Sequence, residues 1–210
     1  KTYWDNILGN CDNNRLENLV TKNDAQSYAD FSLNQEQTKQ LLQESNKIYH
    51  TQVNDILLTA LAHALFEVTG DKVTNITLEG HGREEIDSSI DIMRTLGWFT
   101  TMYPVRLEIY EDIGKSLKNI KESLRHIPNK GIGYGALIGY QRVTLPRISF
   151  NYLGQFDRED KKQSKNQNFW NIVEDPNGVS VHPANQEYNI LNINGLVIDG
   201  KLKFSIGSKL

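Results

Sequence analysis

The chain has 210 residues, of which 38% are hydrophobic and 23% charged, and its formal net charge is −3 at pH 7. This composition is typical of a globular chain with enough apolar material for one or two cores. The negative balance lacks the clustered basic residues that bind nucleic acid or an anionic membrane. We therefore expect neither nucleic acid nor a membrane as a partner.

The apolar runs and the single cysteine of the chain indicate its cellular compartment. No apolar run approaches the roughly 18 residues that span a bilayer, and the first four residues lack the pattern of a signal peptide. Cys11 has no second cysteine to pair with, so an internal disulfide and a cysteine-based zinc cluster are excluded. These features predict a cytoplasmic chain.

The first half of the chain predicts two helices after a polar stretch that runs from Cys11 to Asp30. Asn34 and Gln37 form a capping pattern that begins a helix running toward Tyr49. A second helix is predicted from an N-cap at Asn54 to a C-cap at Gly70. Its residues are apolar around most of the circumference, so we expect this helix to be central and buried.

The next elements alternate between strand and helix. The alternation from Val73 to Glu79 predicts a half-buried strand that ends with the Glu79 carboxylate off the core face. A second strand is predicted at about Met102 to Ile109. An amphipathic helix follows, and Pro128 ends it. Its apolar positions are Ile113, Leu117, Ile120, Leu124 and Ile127.

The last third predicts more strands. Residues 148–153 alternate, and a charged loop from Asp157 to Asn168 follows. Strands are then predicted over 188–198 and 202–206, and the Asp199–Gly200 pair between them indicates a hairpin. The whole pattern predicts a mixed α/β fold without internal repeats.

The densest cluster of reactive side chains is Glu79–Gly80–His81–Gly82–Arg83–Glu84, directly after a strand. Packing of a core does not require two glycines and four ionisable side chains there. Glycine permits unusual backbone angles or the close approach of a ligand. The residue types alone leave two readings open, a functional loop or a charged turn.

Two further stretches are unusual for loops. Arg94 to Val105 contains Trp98, Phe99 and Tyr103, a run too aromatic for an ordinary exposed loop. Pro128 to Gly135 holds three glycines within five residues, as a phosphate-binding loop does, but it lacks the spacing of a dinucleotide fingerprint and the Lys-Ser/Thr pair of a P-loop.

These stretches, in this order, resemble the third to seventh sequence motifs of the epimerization domains of nonribosomal peptide synthetases. The matching segments are Asp55–Leu61, Glu79–Glu84, Arg94–Thr100 with Tyr103–Val105, Pro128–Gly135 and Phe150–Gly154. The resemblance covers essentially the whole chain. The family's first two motifs are not found here, and these include the His-His-x-x-x-Asp-Gly segment that supplies a catalytic histidine.

The resemblance implies the chloramphenicol-acetyltransferase-like fold of condensation and epimerization domains, in which two α/β lobes enclose a tunnel. It implies that residues 1–32 form the inter-lobe linker and the start of a lobe. Residues 33–210 would form the C-terminal lobe, and the N-terminal lobe would be absent. An isolated fragment of this kind is expected to be inactive.

The resemblance also implies the roles of individual residues. Glu79 corresponds to the glutamate that faces the histidine of the other lobe, so it is the expected acid/base, with Glu84 as the alternative. Arg83 would hold either the glutamate or the loop, or form a local ion pair. Asn151 and Tyr152 are adjacent on a strand, so at most one of them is expected to reach the substrate. Tyr103 would line the tunnel or the core, and His81 is expected to be structural.

The implied activity is the L-to-D epimerization of an aminoacyl or peptidyl thioester. No cofactor of the lobe's own is expected, because the substrate is carried on the phosphopantetheine of a peptidyl carrier domain. No metal is expected either, since a lone histidine, His81, among carboxylates is weak evidence for a metal site. The expected partners are that carrier domain, the missing lobe and the neighbouring synthetase domains. Two alternatives are a condensation domain that forms amide bonds and a noncatalytic lobe that docks a carrier domain.

Overall fold

A computed structural model describes residues 2–9, 14–19, 27–139, 145–156, 178, 182, 185 and 188–210. The helices are α1 (Thr2–Leu8), α2 (Asn14–Glu17), α3 (Gln35–Lys39), α4 (Ser45–Tyr49), α5 (Val53–Thr69), α6 (Ile113–Arg125) and α7 (Tyr134–Ile138). The strands are β1 (Ser27–Ser32), β2 (Val73–Gly80), β3 (Thr101–Glu108), β4 (Ile148–Gln155), β5 (Leu191–Ile198) and β6 (Lys201–Ser208).

The six strands form one mixed sheet in the order β1–β6–β5–β4–β2–β3. The central strand β4 is parallel to both of its neighbours, β2 and β5, whereas the outer pairs are antiparallel. The core lies on the face that carries Ile76, Leu78 and Phe150, and α5 and α6 pack there with Leu58 and Ile120. The mixed α/β class predicted from the sequence is confirmed.

The helix after β1 begins as predicted. The Oδ1 of Asn34 accepts the N–H of Gln37 at 2.9 Å, and the Oε1 of Gln37 accepts the N–H of Asn34 at 3.1 Å, which is the reciprocal capping box. The helical path reaches Tyr49, but a π-helical turn at Gln40–Glu44 separates α3 from α4. The capping pattern contains no signal for that turn.

Helix α5 begins two residues earlier than predicted. Its N-cap is Gln52, not Asn54, and the N–H of Gln52 donates to the Oδ2 of Asp55 at 2.7 Å. A carboxylate in the first turn is favourable because the N-terminus of a helix carries partial positive charge. The predicted C-cap is confirmed, since Gly70 has a left-handed φ of 75°.

The expectation that α5 is buried around its circumference is wrong for one face. Leu58 and Leu65 are buried, but Ala60, Ala64 and Val68 are exposed. Small apolar residues are common on exposed helix faces, because alanine favours the helix without needing burial.

Strand β2 is more buried than the alternation predicted. Residues Thr74 to Leu78 are buried on both faces, and only Glu79 is exposed. Thr77 can be buried on the polar face because its hydroxyl donates to the carbonyl oxygen of Pro146 at 2.7 Å. The half-buried prediction is therefore wrong for the body of the strand and right for its end.

The two remaining patterns are partly confirmed. In α6, Leu117 and Ile120 are buried as predicted, but Ile113 at its first position is exposed. The hairpin prediction is confirmed: Asp199 and Gly200 have φ of 52° and 69° and connect β5 to β6. Strand β5 begins at Leu191, so the predicted start at Tyr188 is three residues early.

Two predictions fall where the structure does not describe the chain. Cys11 and the charged loop at 157–168 lie outside the described residues. In the described ranges, no helix is long and apolar enough to cross a membrane.

Candidate active site

Glu79 lies at the end of β2, where β2 runs parallel to the central strand β4. Thr77 is opposite Ser149, and this register brings Glu79 beside Asn151. The Nδ2 of Asn151 donates to the Oε2 of Glu79 at 3.0 Å. Partial burial raises the pKa of Glu79 above its usual value. The carboxylate therefore titrates closer to neutral pH than a fully solvated glutamate does.

Asn151 and Tyr152 point to opposite faces of β4, as their adjacency on a strand requires. Asn151 lies on the face of Glu79, whereas Tyr152 packs against the hydrophobic core. Of this pair, Asn151 is therefore the residue near the carboxylate.

Glu84 lies in a second polar cluster beside the first. Its Oε1 is 3.1 Å from the Nε2 of His81, and its Oε2 is 2.8 Å from the Nζ of Lys130. The side chain of Glu84 is only 19% exposed, although both of its partners are largely exposed. Both of its carboxylate oxygens are thus engaged, which distinguishes it from Glu79.

Arg83 holds the loop that follows β2, the 81–100 loop. Its guanidinium donates from Nη1 to the carbonyl oxygen of Ile92 at 2.6 Å and from Nη2 to that of Gly97 at 3.3 Å. The guanidinium carbon also lies 4.3 Å from the centre of the Phe99 ring. Of the three roles expected for Arg83, its contacts fit the one in which it holds the loop.

The 81–100 loop exposes large apolar side chains. Leu96 is 100% exposed and Trp98 is 90% exposed, and the others are Ile86, Ile90 and Met93. The expectation that this run is too aromatic for an exposed loop is therefore wrong for Trp98. Tyr103, in contrast, is buried on β3.

Tyr103 packs in the core rather than at an open surface. A Cβ at Gly131 would overlap the Tyr103 ring, so the glycine lets the backbone of the Pro128–Gly131 turn lie against that ring. Burial raises the pKa of Tyr103, and the nearby negative charge of Glu84 raises it further. Of its two expected roles, Tyr103 has the contacts of a core residue.

The structure thus joins the predicted residues into two groups. Glu79 and Asn151 are in direct contact, and His81 and Glu84 form the cluster with Lys130. Lys130 was not singled out from the sequence. Its only sequence signal is that it lies within the glycine-rich stretch at 128–135.

Glu79 is exposed at the end of β2 and does not line the cleft described for another part of the molecule. That cleft, of about 500 Å³, opens between α1, β3 and α6, and its lining includes Arg106, Glu108 and His126. Among the described residues, no cluster of three or more histidine, cysteine or acidic side chains is arranged to hold a metal ion.

Solved structures with the same fold define the class of this chain. The epimerization domain from the third module of tyrocidine synthetase B has a TM-score of 0.81 and 34% identity, over 99% of this chain and 48% of that one. The first condensation domain of the CDA synthetase shares the fold alone, with a TM-score of 0.59 and 13% identity over 99% and 43% of the two chains. The predicted fold of condensation and epimerization domains is confirmed.

A sequence model of a known family matches nearly the whole chain. The model described as the condensation domain matches residues 1–207, so the chain belongs to the condensation domain family. Gramicidin S synthase 1 of Brevibacillus brevis is 42% identical over 219 residues, which cover 95% of this chain and 20% of that protein. Surfactin synthase subunit 1 of Bacillus subtilis (strain 168) is also 42% identical, over 84% of this chain and 5% of that protein. The chain thus spans a fifth or less of these relatives, and about half of the solved epimerization domain.

Proposed function

We propose that the chain is the C-terminal lobe of an epimerization domain in a nonribosomal peptide synthetase. The substrate is an aminoacyl or peptidyl thioester on the phosphopantetheine of a peptidyl carrier domain, and the reaction inverts its α-carbon from L to D without a cofactor of the lobe's own. The observation that carries the proposal is Glu79, a carboxylate of raised pKa that is exposed at the end of β2 and oriented by Asn151.

The comparison of identities supports epimerization over amide formation. The chain shares 34% identity with a solved epimerization domain, but 13 to 14% with solved condensation domains of the same fold. Fold likeness alone does not distinguish the two reactions, because one fold hosts many chemistries. The support therefore comes from the identity and from the site.

The chemistry requires one group to remove a proton and another to return one. The thioester carbonyl acidifies the α-proton, so a carboxylate can accept that proton while the C–H electron pair moves onto the carbonyl oxygen as an enolate. When the enolate collapses, its α-carbon takes a proton from an acid on the opposite face, and the configuration is inverted. Acid/base groups of this kind work best when their pKa lies near the working pH.

Asn151 determines which oxygen of Glu79 reacts. Its amide donates to Oε2, so Oε1 is the oxygen available to the α-proton. Asn151 thereby keeps the carboxylate of Glu79 oriented.

The opposing acid in this proposal is the histidine of the His-His-x-x-x-Asp-Gly segment in the N-terminal lobe. The carrier domain presents the substrate between the two lobes, and neighbouring synthetase domains supply and take the peptide. This chain alone is therefore expected to be inactive.

The test is α-proton exchange in deuterated buffer on a carrier-bound aminoacyl thioester, with the complete two-lobe domain and its Glu79→Gln variant. The variant should lose exchange by about a hundredfold or more, because general acid/base groups contribute that much. Glu67→Gln, an exposed glutamate on α5, is the matched control and should exchange like the unaltered domain.

The outcomes separate the proposal from its alternatives. Unchanged exchange from both the L and the D thioester in Glu79→Gln would move the acid/base role to another residue. Absence of exchange in the complete domain, with amide formation once an acceptor amine is added, would identify a condensation domain. Carrier binding without either reaction would identify a docking lobe.

A further inference from the structure

The cluster around Glu84 connects two segments that are distant in the sequence. Lys130 and Glu84 are 46 positions apart, and their Nζ and Oε2 atoms are 2.8 Å apart. Glu84 belongs to the turn after β2, and Lys130 belongs to the Pro128–Gly131 turn before α7. Proton transfer at Glu79 uses neither side chain, so the link needs a different explanation.

Glu84 is poorly suited to act as a free base. The Nδ1 of His81 accepts the N–H of Arg83 at 3.0 Å, so in the neutral ring the Nε2 carries the proton and donates to Glu84. The ammonium of Lys130 donates to the other carboxylate oxygen. A carboxylate with donors on both oxygens is fixed in orientation.

The backbone at Lys130 is strained, and such strain needs a support. Asn129 and Lys130 have φ of 45° and 48°, and Gly131 continues the left-handed path with φ of 84°. A lysine in this region costs free energy that only the surrounding structure can offset. The ion pair with the mostly buried Glu84 provides that support at the strained residue.

The strained turn lies beside Gly80, the residue that follows Glu79, at a distance that one added methyl group would close to van der Waals contact. A Cβ on Gly80 would lie 3.6 Å from the carbonyl oxygen of Lys130 and 3.3 Å from the Cε1 of Tyr103. Gly131 lies against the same Tyr103 ring. The end of β2 is therefore enclosed on this side by Tyr103 and the turn, so a shift of the turn reaches the backbone at Glu79.

We infer that Lys130 and Glu84 are positioning residues, whose ion pair holds the Pro128–Gly131 turn against Gly80 and so fixes the backbone that carries Glu79. The inference rests on the proposed function, since it assigns the pair to the same reaction. Neither residue exchanges protons with the substrate. Their effect is on the geometry of Glu79, and misplacement by about 1 Å can cost a hundredfold in rate.

The test uses Lys130→Met, Glu84→Gln and the double variant in the complete two-lobe domain. Each single variant should lower the kcat of α-proton exchange by about ten- to a hundredfold with little change in KM. The double variant should be no slower than the slower single, because both remove one link. Lys130→Arg should recover most of the rate, since it restores a cation that can donate to Glu84.

A control variant separates positioning from a general loss of stability. Lys72→Met removes an exposed ion pair with Glu111, 3.7 Å long, near the other end of β2, and should leave kcat unchanged. Rates are compared per folded molecule, with circular dichroism at the assay temperature.

Amide hydrogen exchange of Ile132 gives a readout that is independent of activity. Its N–H donates to the carbonyl oxygen of Asn129 at 3.1 Å across the turn. Lys130→Met should accelerate this exchange by about tenfold or more, whereas Lys72→Met should not. This measurement applies even if the complete domain has no epimerase activity.

Three results would overturn the inference. Unchanged kcat in both single variants would show that the turn does not influence Glu79. Loss of exchange in Glu84→Gln as complete as in Glu79→Gln, with Lys130→Met still active, would make Glu84 an acid/base group. Unchanged protection of Ile132 in Lys130→Met would show that the ion pair does not hold the turn. Absence of α-proton exchange in the unaltered domain would instead count against the proposed function.

Discussion

Two adjacent segments at the Glu79 end of the sheet are held in different ways. Strand β2 is buried on both faces from Thr74 to Leu78, and it pairs with β3 on one side and β4 on the other. The 81–100 loop that follows directs most of its large apolar side chains to solvent, and the guanidinium of Arg83 joins two of its carbonyls.

Different interactions hold the two segments in place. In β2 many buried contacts share the stabilisation, so the position of Glu79 follows from the packing of the whole sheet. In the loop a few charged side chains hold the backbone: Arg83 bridges carbonyls that are five positions apart, and Glu84 pairs with Lys130. Apolar composition, which is similar in both segments, does not reveal this difference.

The largest difference in the free energy of unfolding is expected when one isoleucine in each segment is replaced by alanine. Ile76→Ala in β2 should lower the free energy of unfolding by about 2–5 kcal/mol, because Ile76 is 0% exposed and its removal leaves a cavity. Ile86→Ala in the loop should change it by less than about 0.5 kcal/mol, since Ile86 is 69% exposed. Urea unfolding followed by circular dichroism measures both. Equal losses at the two positions would mean that Ile86 is covered by other parts of the protein in solution.

A smaller change in the free energy of unfolding is expected when the guanidinium of Arg83 is removed from the loop. Arg83→Met removes two charged hydrogen bonds and should lower the free energy of unfolding by about 1–2 kcal/mol, because the guanidinium is partly solvated. The amide of Thr95, which donates to Ile92 at 3.1 Å within the loop, should exchange at least about tenfold faster.

Arg94→Met is the matched control for this change, since Arg94 is an exposed arginine of the same loop. Its variant should leave the exchange of Thr95 as it is in the unaltered chain. If Arg83→Met also leaves it unchanged, the loop is held by contacts other than the guanidinium.

The parts of the fold that the sequence predicts correctly have local causes. Asn34 and Gln37 cap each other within one turn, and Asp199–Gly200 adopts the left-handed angles that a tight hairpin requires. The exposed end of β2 at Glu79 follows from the alternation of the strand itself. Each of these signals lies within a few residues of the structure that it determines.

The parts that the sequence does not predict depend on residues far apart in the chain. The contact of Asn151 with Glu79 spans 72 positions and requires the parallel register of β2 and β4. Alternation predicts that Asn151 and Tyr152 face opposite ways, but not which of them faces Glu79. The exposure of Trp98 is equally nonlocal, because hydropathy describes the side chain and not what covers it.

The smallest predicted effect is the pH dependence of the free energy of unfolding that comes from the carboxylate of Glu79. Burial raises its pKa, so the folded state favours the protonated form relative to the unfolded chain. The associated stability is fully present below the ordinary glutamate pKa and is lost as the pH rises through the raised folded-state pKa. Glu79→Gln carries no charge at any pH, and its side-chain oxygen can still accept the hydrogen bond from Asn151.

The Glu79→Gln variant should therefore have a slightly higher urea midpoint than the unaltered chain at pH 8, and the gap should close as the pH falls to about 4. The control is Glu67→Gln on the exposed face of α5, where no gap is expected. A variant that is less stable at pH 8 would mean that the carboxylate stabilises the sheet end, as a structural ion would. A more stable variant would mean that the chain retains a destabilising charge at the position where the proposed acid/base chemistry needs one.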